Sequence, residues 1–346
     1  MRALTVTPGK AKSLTLVDDL PEPDPAEGEV LVEAIAVGVC GTDREIISAE
    51  YGEAPADADR LVLGHESLGR VVEDATGTLT PGDLVAGIVR HPDPVPCPSC
   101  AAGEWDMCRN GRYTEHGIKG RHGFARERWR VPAGFAVPLD PLLGPRGVLL
   151  EPASVLAKAW EHIERVGERA LWYPETVLVT GAGPIGLLAA LMGRQRHLEV
   201  HVLDHNESGP KPELVRRLGA IYHAVEVADL DLTPDIVIEC TGVPGVVLDV
   251  MEKIGPSGIA CLTGVSSGGR TNRVDAGALN RELVLENNVV FGTVNANRRH
   301  WEAAARALVD ADQDWLGDLI TRRVPVDGYA EAYEKRADDI KVVVEF

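Results

Sequence analysis

Three short stretches of this chain carry residue types whose spacing allows joint chemistry. Cys40-Gly-Thr-Asp43 and Gly64-His-Glu66 offer a thiolate, an imidazole and a carboxylate, each near a glycine that lets the backbone turn tightly. That donor set suits an open catalytic zinc site. Downstream, Gly181-Ala-Gly-Pro-Ile-Gly186 has the spacing of a nucleotide-binding loop. Glycines 181, 183 and 186 permit the turn, the approach of backbone to pyrophosphate and close helix packing, while Pro184 and Ile185 open the helix whose N-terminus stabilises phosphate charge. Asp204 follows about 20 residues on, at the end of the next expected strand, as such a site requires. A metal that acidifies a hydroxyl and a nicotinamide that accepts hydride together point to alcohol oxidation.

Asp204 is expected to accept hydrogen bonds from ribose hydroxyls and to repel a 2′-phosphate, which favours NAD over NADP. Its neighbours His205 and Asn206 supply no fixed positive charge. The competing reading is a loop-capping Asp, and NADP stays open.

The elements that must position these groups follow from periodicity. Met1 to Thr7, Glu29 to Val37 and Leu68 to Glu73 read as strands among Pro, Gly and Asp breaks, which suggests a small β-barrel or sandwich over the first 90 residues. From about Glu151 the pattern changes. Ala153 to Val166 has helical apolar spacing, and strands at Thr176–Thr180, Val200–Leu203, Asp235–Glu239 and Gly258–Thr263 then alternate with helices such as Ile185–Arg194. That rhythm is α/β and doubly wound. Val289–Val294 reads as a further strand, Arg298–Asp310 as a helix, and Lys341–Phe346 as a strand that returns to the first domain.

Composition excludes several classes. With 346 residues the chain can hold two domains, and 45% hydrophobic with 25% charged residues is ordinary for a globular enzyme. A net charge of -18 disfavours nucleic acid and anionic membranes as partners. Only 8 of 35 basic residues are lysine, which fits either a high-salt surface or a GC-rich coding bias. Met1 to Thr7 lacks the apolar core of a signal peptide, and no apolar run approaches the roughly 18 residues of a membrane span, so a cytoplasmic enzyme is expected. Cys97, Cys100 and Cys108 read as metal ligands, and Cys240 and Cys261 as inert core thiols.

Taken together, Gly38-Val-Cys-Gly-Thr-Asp-Arg-Glu-Ile, Leu63-Gly-His-Glu-Ser, Glu115-His-Gly-Ile, Gly123-Phe-Ala-Arg-Glu, Leu150-Glu-Pro and Gly292-Thr-Val-Asn295 resemble the zinc-dependent medium-chain dehydrogenases, in particular the archaeal-type glucose dehydrogenases. The resemblance implies a doubly wound parallel Rossmann sheet, residues 156–295, inserted in a mainly β, GroES-like catalytic domain made of residues 1–155 and 296–346. It implies that Cys40, His65, Glu66 and Glu151 hold a catalytic zinc, with Glu66 able to exchange with water and Glu151 standing where alcohol dehydrogenases of the family carry a cysteine. Thr42 would relay a proton, Glu115 and Asn295 would bond sugar hydroxyls, and Thr241 and Thr263 would join the cofactor contacts. A family lobe with four cysteines is reproduced at Cys97, Cys100 and Cys108 but has Pro94 at its first position. Asp93 is the candidate fourth ligand of a structural zinc there, with His91 a rival.

The expected reaction is hydride transfer from C1 of an aldose such as glucose to NAD(P), giving a lactone. The alternatives are a polyol or secondary-alcohol dehydrogenase with the same metal chemistry, and a non-catalytic nucleotide sensor. The apolar run Val289–Val294 is expected to be an edge strand that pairs across a two-fold axis, giving a homodimer or homotetramer.

Overall fold

The computed structural model describes residues 1–23, 26–266, 268 and 273–346. The chain divides into two compact units, one made of Met1–Ser154 with Asn295–Phe346 and the other of Val155–Val294. Among the described residues no helix is long and apolar enough to cross a membrane.

The first unit is built around the strand Glu29–Val39, which is buried along most of its length because it has three partners. Glu66–Asp74 runs antiparallel along one side. On the other side Arg128–Pro132 covers the first half and Lys341–Glu345 the second. The seven-stranded sheet continues through Leu84–Gly87 to Ala136–Leu139 at one edge and through Ile320–Pro325 at the other. Two smaller sheets complete this unit: Thr15–Val17, Ala3–Val6 and Leu61–Val62 form one, and Arg90–His91, Thr114–His116 and Gly120–Arg121 the other. Trp129 and Phe124, both fully buried, meet at 4.7 Å between ring centroids.

Register carries the functional consequence. Gly38 lies opposite Glu66 and Val39 opposite Val342, so the end of the central strand brings Cys40 toward His65 on one side and Lys341 on the other. A Cβ on Gly38 would lie 2.0 Å from Glu66 Oε2; the glycine is there to leave room for a carboxylate. Glu66 is itself the first residue of its strand, two residues earlier than the apolar pattern at Leu68 suggests, because the buried partner described below compensates its charge.

In the second unit six parallel strands have the order Ile221–His223, Glu199–Leu203, Thr176–Thr180, Ile236–Glu239, Ile259–Leu262, Val289–Gly292. The order in which successive strands are added to the sheet reverses between Thr176–Thr180 and Ile236–Glu239, which is the switch point where such sheets open a crevice. Helix Pro184–Gln195 buries every residue from Gly186 to Gly193, as a helix lying on a sheet must. Trp160 fixes a neighbouring helix to it by donating from Nε1 to the Ala189 carbonyl at 3.3 Å. The helix Leu150–Gly167 starts three residues before the periodicity at Ala153 predicts. Pro152 looks like a break in sequence but is tolerated in a first helical turn, where its missing N–H would have no partner, and Glu151 suits the helix N-terminus.

Candidate active site

The metal-ligand candidates come from three places in the first unit. Cys40 is the N-cap of helix Gly41–Ile47, held by a reciprocal arrangement in which its backbone N–H donates to Asp43 Oδ2 at 2.8 Å. Glu66 begins the strand opposite, and His65 stands immediately before it, after Gly64 at φ +85. One donor atom each from Cys40, His65 and Glu66 lies within 4.8 Å of the others. A sulfur, an imidazole nitrogen and a carboxylate oxygen that converge this closely fit a zinc ion in an open site.

Two residues that the motifs did not single out orient this set. His65 Nδ1 faces Asp43 Oδ1 at 3.4 Å, which leaves Nε2 for the cluster. Burial works against a charge on His65, but Asp43 overcomes it and raises the imidazole well above its ordinary value. A carboxylate behind a ligating histidine fixes its tautomer and makes it a better donor. Lys341, 2% exposed, binds both Glu66 oxygens at 2.7 and 2.5 Å and donates to the Val39 carbonyl at 3.3 Å. Burial alone would lower the ammonium, and Glu66 reverses the direction.

Glu151 stands outside the 4.8 Å cluster. It belongs to the same electrostatic neighbourhood: burial pushes its carboxyl up to about 7, His65 and Lys341 oppose the rise, and Glu66 adds to it. Thr42 Oγ1 lies 4.0 Å from Cys40 Sγ. Its hydroxyl is thus next to the cluster.

Glu115 and Asn295 are 180 residues apart and meet: Asn295 Nδ2 donates to Glu115 Oε1 at 3.0 Å. Asn295 adopts φ +62 and receives the Ala296 N–H on Oδ1 at 2.8 Å, so its amide nitrogen faces the carboxylate. The same Glu115 oxygen accepts from Arg90 Nε at 3.0 Å. This group is close to the metal-ligand segment, because a Cβ on Gly117 would touch the Gly64 carbonyl at 2.6 Å.

In the cysteine lobe, Cys97, Cys100 and Cys108 converge within 4.8 Å, and among the described residues no fourth donor joins them. Asp93 accepts from Val95 N at 3.0 Å and from Asn110 Nδ2, while Cys108 donates to Asn110 Oδ1 at 3.0 Å. His91 stacks on Phe135 at 4.0 Å instead of facing the thiols. The Arg109 amide, 3.4 Å from Cys97 Sγ, is the main reason that thiol falls to about 6, whereas burial lifts Cys100 to about 11. Three sulfurs with one already poised as thiolate are suited to a metal, but closed structural sites take four ligands.

In the second unit the glycine loop has the geometry its spacing requires. Gly181 sits at φ +88, Gly183 is the N-cap of helix Pro184–Gln195 with Pro184 at its first position, and Ile185 follows half-buried. A Cβ on Gly186 would lie 1.7 Å from the Gly181 carbonyl oxygen, so no other residue fits there. Asp204 reaches back to the loop, where Oδ2 accepts from Ala182 N at 2.7 Å. His205 and Asn206 supply no fixed positive charge, but Lys211 does: its Nζ lies 3.2 Å from Oδ2 and 3.2 Å from Asn206 Oδ1. Its position seven residues on, in the first turn of helix Pro210–Arg217, hid it from a reading confined to the next two residues. Burial tends to raise the Asp204 carboxyl, but the Ala182 amide, Lys211 and the Asn206 amide hold it below the ordinary range. Thr241 and Thr263 both turn toward Glu239, a fully buried residue: the Thr241 amide donates to Oε1 at 2.7 Å and Thr263 Oγ1 to the backbone carbonyl at 2.8 Å. Glu239 thereby organises the crevice edge, a role that its place at the end of an apolar strand did not announce. Burial raises the Cys240 thiol to about 12 and the Cys261 thiol further, which suits inert core residues.

Two family models between them cover most of the chain. A model for the C-terminus of glucose dehydrogenase matches residues 144–346, and one for the alcohol dehydrogenase GroES-like domain matches residues 26–141. The chain belongs to the glucose dehydrogenase family. It is 38% identical over 358 residues to glucose 1-dehydrogenase of Methanocella arvoryzae and 40% identical over 353 residues to glucose 1-dehydrogenase 2 of Vulcanisaeta moutnovskia, with 100% of this chain and 99% of each relative covered. Among solved structures, the Haloferax mediterranei glucose dehydrogenase in complex with NADP, Zn and gluconolactone superposes with a TM-score of 0.93 at 32% identity, covering 100% of this chain and 99% of that one. The fold is therefore the Rossmann and GroES-like pairing of this dehydrogenase family.

The metal arrangement predicts separable losses. Cys40→Ala is expected to remove the catalytic zinc, so that any zinc kept per chain belongs to the cysteine lobe, and Asp43→Asn is expected to weaken the catalytic metal about 10- to 100-fold through misoriented His65. Metal analysis and chelator competition read both. Loss of all zinc in Cys40→Ala rules out an occupied lobe, and unchanged affinity in Asp43→Asn rules out the role given to Asp43.

Proposed function

We propose that this chain is a zinc-dependent aldose 1-dehydrogenase, oxidising glucose or a close relative at C1 to the lactone with NAD(P) as acceptor. The observation that carries the reading is the convergence, in one unit, of the Cys40, His65 and Glu66 donors with the linked carboxylate and amide of Glu115 and Asn295 beside them. The Haloferax relative whose structure was solved with Zn, NADP and gluconolactone supports it.

When bound, zinc and nicotinamide supply a Lewis acid that acidifies the C1 hydroxyl and an acceptor for the C1 hydride. Cys40, His65 and Glu66 would hold the metal, and Glu151, buried in the same electrostatic neighbourhood, would add a carboxylate to its surroundings. Thr42 Oγ1, beside the Cys40 sulfur, takes the hydroxyl proton and passes it outward. Glu115 and Asn295 hold sugar hydroxyls, and a site that relies on such bonds rejects substrates without them. In the second unit the loop at Gly181, Gly183 and Gly186 receives the pyrophosphate at the helix N-terminus. Asp204 accepts from the ribose, and Lys211 beside it offers the charge that a 2′-phosphate needs, so the site suits either cofactor. Thr241 and Thr263 border the nicotinamide half of the crevice.

The reading places the enzyme in the cytoplasm, where its six free cysteines remain reduced. It also gives the enzyme a two-fold dimer. Val289–Gly292 is the edge strand of the second unit, and exposed Val284, Leu285 and Val294 flank it, an apolar edge that a second copy would cover.

NAD(P) reduction across aldoses, polyols and simple alcohols tests the reaction. Chelator-sensitive turnover of glucose or an epimer is expected, and turnover confined to polyols or alcohols overturns the sugar assignment. Lys211→Ala is expected to lower the ratio of kcat/KM with NADP to that with NAD about tenfold; an unchanged ratio removes Lys211 from the ribose site. Light scattering at working concentration is expected to give at least a dimer, and a monomer sinks the edge-strand interface.

A further inference from the structure

We propose that Arg90 is a positioning residue for sugar recognition, fixing the Glu115 carboxylate so that its second oxygen accepts from a substrate hydroxyl. The inference rests on the reading that Glu115 and Asn295 hold sugar hydroxyls, and goes beyond it by naming what makes that reading geometrically possible.

Arg90 and Glu115 are direct partners across the antiparallel strands Arg90–His91 and Thr114–His116, so their side chains leave the same face of the sheet. Both are nearly inaccessible, at 6% and 5% exposed. A carboxylate that deep is strongly destabilised without a cation. Arg90 is held from three directions: Nε donates to Glu115 Oε1 at 3.0 Å, Nη1 donates to the Asp106 carbonyl at 3.2 Å, and the guanidinium carbon stacks 3.7 Å from the Tyr113 ring centroid. The turn that supplies the Asp106 carbonyl is itself tied to the Asn295 segment, since Asn297 Nδ2 donates to Asp106 Oδ1 at 2.9 Å and to Glu104 Oε2 at 3.1 Å.

Arg90 is thus the node joining three segments that meet only in the folded chain. Its consequence is local and chemical. Arg90 and Asn295 both donate to Glu115 Oε1, which fixes the carboxylate rotamer and leaves Oε2 as the acceptor for a ligand. Arg90 needs no contact with the sugar to decide which sugar fits. Lysine can replace it only in part, because a single ammonium does not bond a carboxylate and a carbonyl in fixed directions while stacking on a ring.

The test compares Arg90→Gln, Arg90→Lys, Glu115→Gln and the Arg90→Gln/Glu115→Gln double variant. For each, kcat and KM with glucose, bound zinc and the thermal midpoint are measured. Glu115→Gln is expected to lower kcat/KM about 100-fold, because a buried polar contact to substrate is lost. Arg90→Gln is expected to lose a similar factor, mainly through KM, with zinc content unchanged. Arg90→Lys recovers part of it, and the double variant is no worse than the poorer single one within about threefold, since both act through one carboxylate. If Arg90→Gln does not fold, a raised KM with full zinc in Arg90→Lys supports the proposal and a wild-type KM overturns it. Wild-type KM in Arg90→Gln, or losses that multiply in full in the double variant, overturns the positioning role and leaves the sugar site standing. A Glu115→Gln enzyme indistinguishable from wild type on glucose instead overturns the sugar reading of Glu115, and the role of Arg90 with it.

Discussion

The strand register at the metal-ligand end of the first unit depends on one buried ion pair in particular, Glu66 with Lys341. Neither charge has water to solvate it, and each would be strongly destabilised alone. The pair therefore admits only the register in which Gly38 faces Glu66 and Val342 faces Val39. A slip of one residue in either strand would turn one of the charges to the opposite face of the sheet. The same register carries Cys40, His65 and Asp43 to the places where their donors converge. Ion pairing here contributes specificity of alignment, and the metal-ligand geometry follows from it.

What was legible in the sequence is what is local. Cys40, His65 and Glu66 were visible because each stands in a short motif with a glycine, and the loop Gly181 to Gly186 because its turn and helix start are encoded within six residues. Strand alternation and helical spacing similarly placed the central strand of the first unit and five of the six parallel strands of the second to within a few residues. Asp43, although inside the first motif, has a role that depends on where His65 arrives. Lys341 looked like the start of an apolar terminal strand, and Arg90 stood in no motif. Their functions come from partners 275 and 25 residues away, which no window along the chain contains. Lys211 was hidden for a smaller reason: the loop 204–209 turns back and brings the start of helix Pro210–Arg217 to Asp204 from seven positions downstream.

Buried carboxylates recur as organisers in both units. Glu66, Glu115 and Glu239 each sit in or at the end of a strand and each gathers donors from other segments. A carboxylate accepts several bonds in different directions, so one residue can align several chain segments. The arrangement carries a strict condition: every donor must be present, or the buried charge is left uncompensated.

The position of Lys341 also bears on how the molecule comes into being. During synthesis the strand holding Glu66 emerges 275 residues before its partner. Until segment 341–345 arrives, residues 36–39 present an open ladder edge, and Glu66 has no reason to be buried. The metal-ligand cluster is accordingly among the last parts of the chain to assume its native form, and the intervening unit, with its own parallel sheet, has the opportunity to fold first. A nascent or truncated chain would thus carry the motif residues without the ability to hold their geometry, so that metal acquisition becomes a late step which only fully folded molecules can complete.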